Sequence, residues 1–199
     1  MRDAAGLLRE LFVADGLDVA PRLLNLLLVA DGVAGRIIEV EAYRGQADAA
    51  SHAYRGPTAR NATMFGPPGH LYVYLSYGMH HCANVVCSPE GVASAVLLRA
   101  LTPVEGLGLM RARRPGARHD GELCAGPGRL CAALGIDRHF DGVDLVSGSD
   151  GVRLVSDGVP PPPNPLTGRR VGISARAGAA ATWPWRYAVP GVVGLSRPI

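Results

Sequence analysis

The chain has 199 residues, 48% of them hydrophobic, and a formal net charge of +3. That is enough apolar material to bury one sizeable core without disulfide or metal staples, and it predicts a single domain over residues 1–199. All 20 basic residues are arginine. The lack of lysine excludes a P-loop lysine, a pyridoxal-phosphate Schiff base and a lysine nucleophile.

In chain order, Asp3 to Asp15 carries apolar residues at helical spacing (Leu7, Leu8, Leu11, Phe12) and predicts an amphipathic helix. Its charges (Arg2, Asp3, Arg9, Glu10) argue against a secretory signal, and no apolar run reaches membrane-spanning length. Leu23 to Ala30 and Val33 to Tyr43 flank the turn pair Asp31-Gly32 and read as a hairpin. Ser51 to Pro68 is loop with a short helix. His70 to Ser76 and His80 to Cys87 are strand-like runs joined at Tyr77-Gly78, and Ala93 to Leu101 is a buried strand.

Thr102-Pro103-Val104-Glu105 combines a capping box with proline at the first helical position and predicts a helix to about Arg113. Arg129 to Leu134, closed by Gly135, is a second short helix. Short strands are expected near Val143 to Val146, Val152 to Val155 and Arg170 to Ser174. Strands with interspersed short helices imply an α+β fold on an antiparallel sheet. Four cysteines without dense spacing suit a reducing compartment, so a cytoplasmic location is expected.

Three places break local rules. In Ile37-Ile38-Glu39-Val40-Glu41-Ala42-Tyr43, period two puts Glu39, Glu41 and Tyr43 on one face of an otherwise apolar strand. That face is either solvated at a sheet edge or a buried acidic site. Arg99, inside Ala95-Val96-Leu97-Leu98-Arg99-Ala100-Leu101, either snorkels at a strand end or meets a carboxylate, with Glu41 or Glu39 as the candidate. In Leu71 to Met79, Tyr72 and Tyr74 share a face, while Tyr77 occupies a turn that favours Asn, Asp or Gly. Tyr77 with Met79 at a hairpin tip suits a wedge entering a base stack; the alternative is tyrosines packing a core rim.

Arginines gather in two stretches, Arg111, Arg113, Arg114 and Arg118, and Gly158 to Ile199, which holds five arginines and no acid. Both are candidate phosphate contacts or solvated loops, and the arginine bias itself also fits a GC-rich genome.

With these residues in hand the chain resembles the alkyladenine (methylpurine, 3-methyladenine) DNA glycosylase family. The resemblance runs from about Leu24 to Arg186. It is carried by Glu41-Ala42-Tyr43 with His52, Arg60-Asn61 with Met64-Phe65, and Leu71-Tyr72-Val73-Tyr74 with Tyr77-Gly78-Met79. It continues through Asn84, Leu97-Leu98-Arg99-Ala100-Leu101, Cys124-x-Gly126-Pro127, Arg170-Val171-Gly172-Ile173 and Pro184-Trp185-Arg186.

The resemblance implies an antiparallel, partly barrel-like sheet with peripheral helices, acting as a monomer on double-stranded DNA with a damaged purine. It implies no cofactor, no metal and no membrane, and a bacterial-type cytoplasmic enzyme. In this reading Glu41 is the general base that activates water, and Arg99 holds Glu41 and that water. Tyr43, His52 and Tyr74 enclose the flipped base, and Asn84 clashes with the exocyclic amine of guanine. Tyr77 fills the gap in the duplex beside Met79. Charge clustering, apart from the resemblance, offers Arg111, Arg113 and Arg114 as DNA-backbone contacts. The implied reaction hydrolyses the N-glycosidic bond of 3-methyladenine, 7-methylguanine, hypoxanthine or ethenoadenine, without lyase activity.

His80-His81 and Ser51 depart from the family pattern, which bears on lesion preference. Two rival readings are a zinc site from His80, His81, Cys82 and Cys87, which lacks a C-x-x-C pair or H-E-x-x-H helix, and a non-catalytic nucleic-acid-binding module of a related sheet fold. A buried Glu41 paired with Arg99 would discriminate against the second.

Overall fold

The computed structural model describes residues 9–199; the expected Asp3–Asp15 helix lies partly outside them, and residues 9–12 are helical. Eight strands form one antiparallel sheet: β1 (Leu27–Ala30), β2 (Val33–Tyr43), β3 (Leu71–Ser76), β4 (His80–Cys87), β5 (Ser94–Glu105), β6 (Arg153–Val155), β7 (Leu166–Gly168) and β8 (Arg186–Ala188). Their order is β3-β4-β5-β2-β1-β6, while β8 pairs with β2 past the end of β1 and carries β7. Among the described residues, α1 (Gly16–Leu23), α2 (Leu107–Arg113) and α3 (Pro127–Leu134) join the helical residues 9–12 in an α+β fold. The sheet is open and does not close into the barrel-like form. Among the described residues no helix is long and apolar enough to cross a membrane.

Alternation along the strands divides the sheet into two faces. Val40 and Ala42 of β2, Leu71 and Val73 of β3, Ala83, Val85 and Cys87 of β4, and Val96 and Leu98 of β5 enter the main core with Phe12, Leu23 and Leu130. Their neighbours face the other way. The period slips once in β2, where both Ile37 and Val40 are core residues. Register irregularities flank Glu39 there, and such bulges re-aim side chains.

Three local expectations are corrected. Thr102 to Glu105 does not cap a helix: these residues stay in β5, with Thr102 opposite Arg36 and Pro103 opposite Gly35. Long-range pairing overrides the local signal. The helix α2 starts at Leu107 after Gly106, whose φ of 74° and approach to Gly32, where a Cβ would lie 2.2 Å from the carbonyl oxygen, suit glycine alone. Val143 to Val146 makes one bridge, Asp144 with His70, and Arg170 to Ser174 is not a strand; the β pairing falls to β7 and β8 instead. The helix α1, capped by the Asp15 carboxylate on the Leu17 N–H at 2.9 Å, was hidden by Pro21 inside it. The hairpin at Asp31-Gly32 forms, but its first strand starts at Leu27 and not at Leu23, which ends α1; β3, β4 and the Gly135-capped helix stand as expected.

Candidate active site

Opposite the main core, four adjacent strands present Tyr72 and Tyr74 (β3), Cys82 and Asn84 (β4), Leu97 and Arg99 (β5) and Tyr43 (β2) to a cleft of about 1090 Å³. His52 and Tyr77 line the same cleft. Thus the structure brings Tyr43, His52, Tyr74, Tyr77, Asn84 and Arg99 together, although 56 residues separate the first from the last in sequence.

Glu39 and Glu41 are completely buried, which removes the reading of a solvated edge. The Glu41 carboxylate lies behind the cleft wall. Its Oε1 accepts the Val171 N–H at 2.7 Å and faces Arg99 Nη1 at 3.2 Å; its Oε2 accepts the Tyr43 hydroxyl at 2.9 Å. Burial raises the Glu41 pKa, opposed by the Arg99 cation, the Val171 N–H and the Tyr43 O–H, while Glu39 adds to the rise. The same burial, with the Glu41 charge behind it, pushes the Tyr43 phenol well above its ordinary value. Arg99 does not choose between the two carboxylates: its Nε also donates to Glu39 Oε1 at 3.0 Å. An arginine in so apolar a strand is tolerable because both partners are buried with it.

The aromatic wall is ordered by its own contacts. His52 Nδ1 lies 3.2 Å from the Tyr72 hydroxyl, and its ring meets Tyr74 edge-on at 4.4 Å between centroids. Tyr72 stacks on Tyr74 at 5.5 Å. Desolvation, then the nearby Arg60 charge, lowers the His52 pKa, so the imidazole is neutral near pH 7. The loop carrying His52 is pinned by the Asn61 side chain, which donates to the His52 and Gly56 carbonyls at 2.9 and 3.1 Å. Asn84 is buried, its amide donating to the Tyr72 carbonyl at 3.1 Å.

The hairpin between β3 and β4 projects from this cleft. Tyr77 is 87% exposed and Met79 70% exposed, and Tyr77 takes a φ of 50°, a left-handed conformation unfavourable for a bulky residue. A smaller groove of about 550 Å³ lies between Tyr77, His81, Arg60 and Arg138. There Arg60 and Arg138 donate to the Leu75 and Val73 carbonyls of the edge strand β3, and Arg138 also pairs with Asp141 at 3.3 Å.

Arg111, Arg113 and Arg114 do not line the cleft. Arg111 is held by both oxygens of Asp120 at 2.9 and 2.8 Å, Arg113 donates to the Ala133 carbonyl at 3.2 Å, and Arg118 pairs with Glu122. The arginines at the cleft mouth are Arg55, Arg60 and Arg176, and among the described residues none of them makes an ion pair. In the acid-free stretch after Gly158, Arg170 and Arg186 are buried against Asp48 and Glu39, acids supplied from far away in sequence. Those partners, the Val171 N–H and Ser196 are site contacts absent from the sequence pattern; their one signal is the acid-free run of arginines, which as sequence suits phosphate contacts or solvated loops.

The residues of the zinc reading diverge. His80 is exposed, His81 faces the outer groove, Cys82 lines the cleft and Cys87 is in the core. Among the described residues no three His, Cys, Asp or Glu side chains group to hold an ion.

A buried carboxylate clamped to arginine behind an aromatic cleft can stack a planar ring and accept a proton beside it. The family model of methylpurine-DNA glycosylase matches residues 10–192. A relative from Burkholderia lata is 54% identical over 192 residues, covering 96% of this chain and 91% of its own. One from Streptomyces avermitilis is 51% identical over 190 residues (93% and 88%), and one from Nitrosospira multiformis 46% over 187 (94% and 92%). All three carry 3-methyladenine DNA glycosylase in their names. The chain belongs to the methylpurine-DNA glycosylase family. It is a DNA glycosylase, a hydrolase that acts on DNA in the repair of damaged bases, which sets aside the non-catalytic reading.

Proposed function

We propose that the protein extrudes an alkylated or deaminated purine from duplex DNA into the Tyr43–His52–Tyr74 cleft and hydrolyses its N-glycosidic bond with water. The observation that carries this reading is the fully buried Glu41 held by Arg99 under the Tyr43 ring. A base inside a duplex is out of reach, so it must be flipped, and damaged bases unstack at lower cost. Aromatic faces attract a cationic methylpurine.

The water oxygen bonds to the anomeric carbon as the carbon–nitrogen bond breaks. Its proton goes to Glu41, and the bonding electron pair leaves with the base. A cationic methylpurine departs as a neutral molecule and needs no general acid, so a positioned carboxylate suffices for it; a neutral deaminated purine departs as an anion and takes up a proton from solvent. Each carboxylate oxygen has about two acceptor positions, and Tyr43 takes one on Oε2. The reacting water takes the other once the base is bound. With no lysine in the 199 residues, the Schiff-base route of strand-cutting glycosylases lacks its usual amine, and the product is an intact strand with an abasic site.

The test is single-turnover base release with Glu41→Gln, which keeps the shape and removes the base. Release should fall by about 10²-fold or more while lesion binding survives. For the native enzyme the rate should fall as pH drops through the raised Glu41 pKa, because only the ionised form accepts the proton. Borohydride should trap no protein–DNA adduct. Near-normal turnover by the Gln variant overturns the reading.

A further inference from the structure

Arg99 is shared between two buried carboxylates, and a guanidinium offered two carboxylates ordinarily prefers to grip one of them with two parallel hydrogen bonds. Glu39 is well placed to win. It already accepts Arg99 Nε at 3.0 Å and Arg186 Nε at 2.8 Å on the same oxygen. If it also took the next prong, Arg99 would rotate toward Glu39 and its Nη1 would leave Glu41.

Ser196 stands in the way. Its hydroxyl oxygen accepts Arg99 Nη2 at 2.8 Å and Nε at 3.1 Å. The hydroxyl donates in turn to Glu39 Oε1 at 2.7 Å, and the Ser196 backbone N–H donates to Glu39 Oε2 at 2.5 Å. Both oxygens of Glu39 are thereby engaged, and Nη2 of Arg99 has an acceptor that is not a carboxylate. The 196–198 segment is itself strapped down, because Arg186 Nη2 donates to the carbonyls of Arg197 at 2.5 Å and Pro198 at 3.2 Å. Arg186 reaches this segment from β8, whose residue 186 pairs directly with Glu41 in β2.

The geometry points to Ser196 as a positioning residue that occupies the Arg99 prong Glu39 would otherwise take, so that Nη1 stays on Glu41. The inference rests on Glu41 being the general base. It adds a regulator of that base which contacts neither base nor cleft, 155 positions further along the chain. Four buried charges take part, Glu39 and Glu41 against Arg99 and Arg186, and they cancel. Ser196 decides how that balance is distributed, not its total.

The other groups that bear on Glu41 are fixed by separate contacts: Tyr43 and the Val171 N–H by their hydrogen bonds to it, and Arg170, which lies against the Tyr43 ring, by Asp48. Tyr74 and Cys82, from β3 and β4, feel the Glu41 charge and stay protonated through the neutral range, both raised by burial. None of these contacts passes through Ser196.

The experiment is the pH profile of single-turnover base release from a 7-methylguanine duplex by the whole protein carrying Ser196→Ala, beside Ser196→Thr and Glu41→Gln. With the hydroxyl gone, Arg99 is drawn to Glu39 and Glu41 ionises less readily. The acid limb should therefore move to higher pH by about 0.5–1 unit, a loss of about threefold to tenfold on that limb. The rate above the limb and the affinity for lesion duplex should stay within about twofold of native, well below any binding contact. Ser196→Thr should restore the limb. An unmoved limb in Ser196→Ala, or an equal loss at every pH with a lowered melting temperature, overturns the role. Glu41→Gln separates the two levels: if it turns over normally, the parent mechanism fails and this role with it, whereas an inactive Gln variant beside an unmoved Ser196→Ala limb sinks the positioning role alone.

Discussion

The guanidinium of Arg170 lies 4.5 Å from the centroid of the Tyr43 ring, and both oxygens of the fully buried Asp48 grip it at 2.5 and 2.9 Å. Trp185 covers it at 5.0 Å, and the carbonyls of Ala42 and Ala180 take two more of its N–H bonds. Tyr43 is therefore backed by a cation whose charge is matched beneath the site.

Arg170→Met should cost about 3–5 kcal/mol, because it leaves Asp48 as an uncompensated buried charge. Asp48→Asn with Arg170→Met should recover a large part of that loss. Chemical denaturation of the two single variants and the double variant measures the coupling. Independent effects that simply add would mean the pair is not a unit.

Asn84 lies at the cleft floor with its amide tied to the Tyr72 carbonyl. If its bulk excludes the amino group of guanine, Asn84→Ser should raise release of guanine relative to hypoxanthine by about tenfold, the scale of one lost steric contact in a pocket. Competition between guanine- and hypoxanthine-containing duplexes reads this ratio, and an unchanged ratio would remove Asn84 from discrimination.

Tyr77 holds its ring in solvent on a left-handed backbone. Tyr77→Gly should keep the melting temperature or raise it, since glycine escapes a penalty of about 1 kcal/mol there. It should also impair flipping, most severely for stably paired hypoxanthine. A fluorescent flipped-base signal equal to native would count against the wedge.

Phosphate contact should follow the cleft mouth and not the α2 loop. Each arginine that neutralises a phosphate contributes about one unit to the slope of log affinity against log salt. Replacing Arg55, Arg60 and Arg176 together by alanine should flatten that slope by about 2–3. Replacing Arg113 and Arg114 should leave it nearly unchanged, because neither lines the cleft. The reverse result would move the DNA path to α2.

Much of this site could be read from short-range pattern. Period two in β2 puts Glu39, Glu41 and Tyr43 on one face, the apolar run around Arg99 leaves only a carboxylate partner or a snorkelling strand end, and a tyrosine in a glycine-type turn marks Tyr77 as a wedge candidate. What stayed hidden depends on contacts across long stretches of chain. Glu39 takes its partners from Arg186 and Ser196, 147 and 157 residues away, and no local spacing encodes that. The Thr102–Glu105 capping signal lost to pairing with β2 for the same reason. The strands β7 and β8 have three residues each, too short for alternation to show.

The two faces of the sheet share one reading frame. Val40, Ala42, Val96 and Leu98 build the core, while Glu39, Glu41, Tyr43 and Arg99, interleaved with them, build the site. Inserting or deleting a single residue inside β2 or β5 would exchange the two sets, sending carboxylates into the core and leucines into the cleft. Such a chain could not retain its packing and lose only its chemistry. In these strands the hydrophobic core acts as proofreader for the active site, which leaves the connecting loops as the places that can tolerate a change of length.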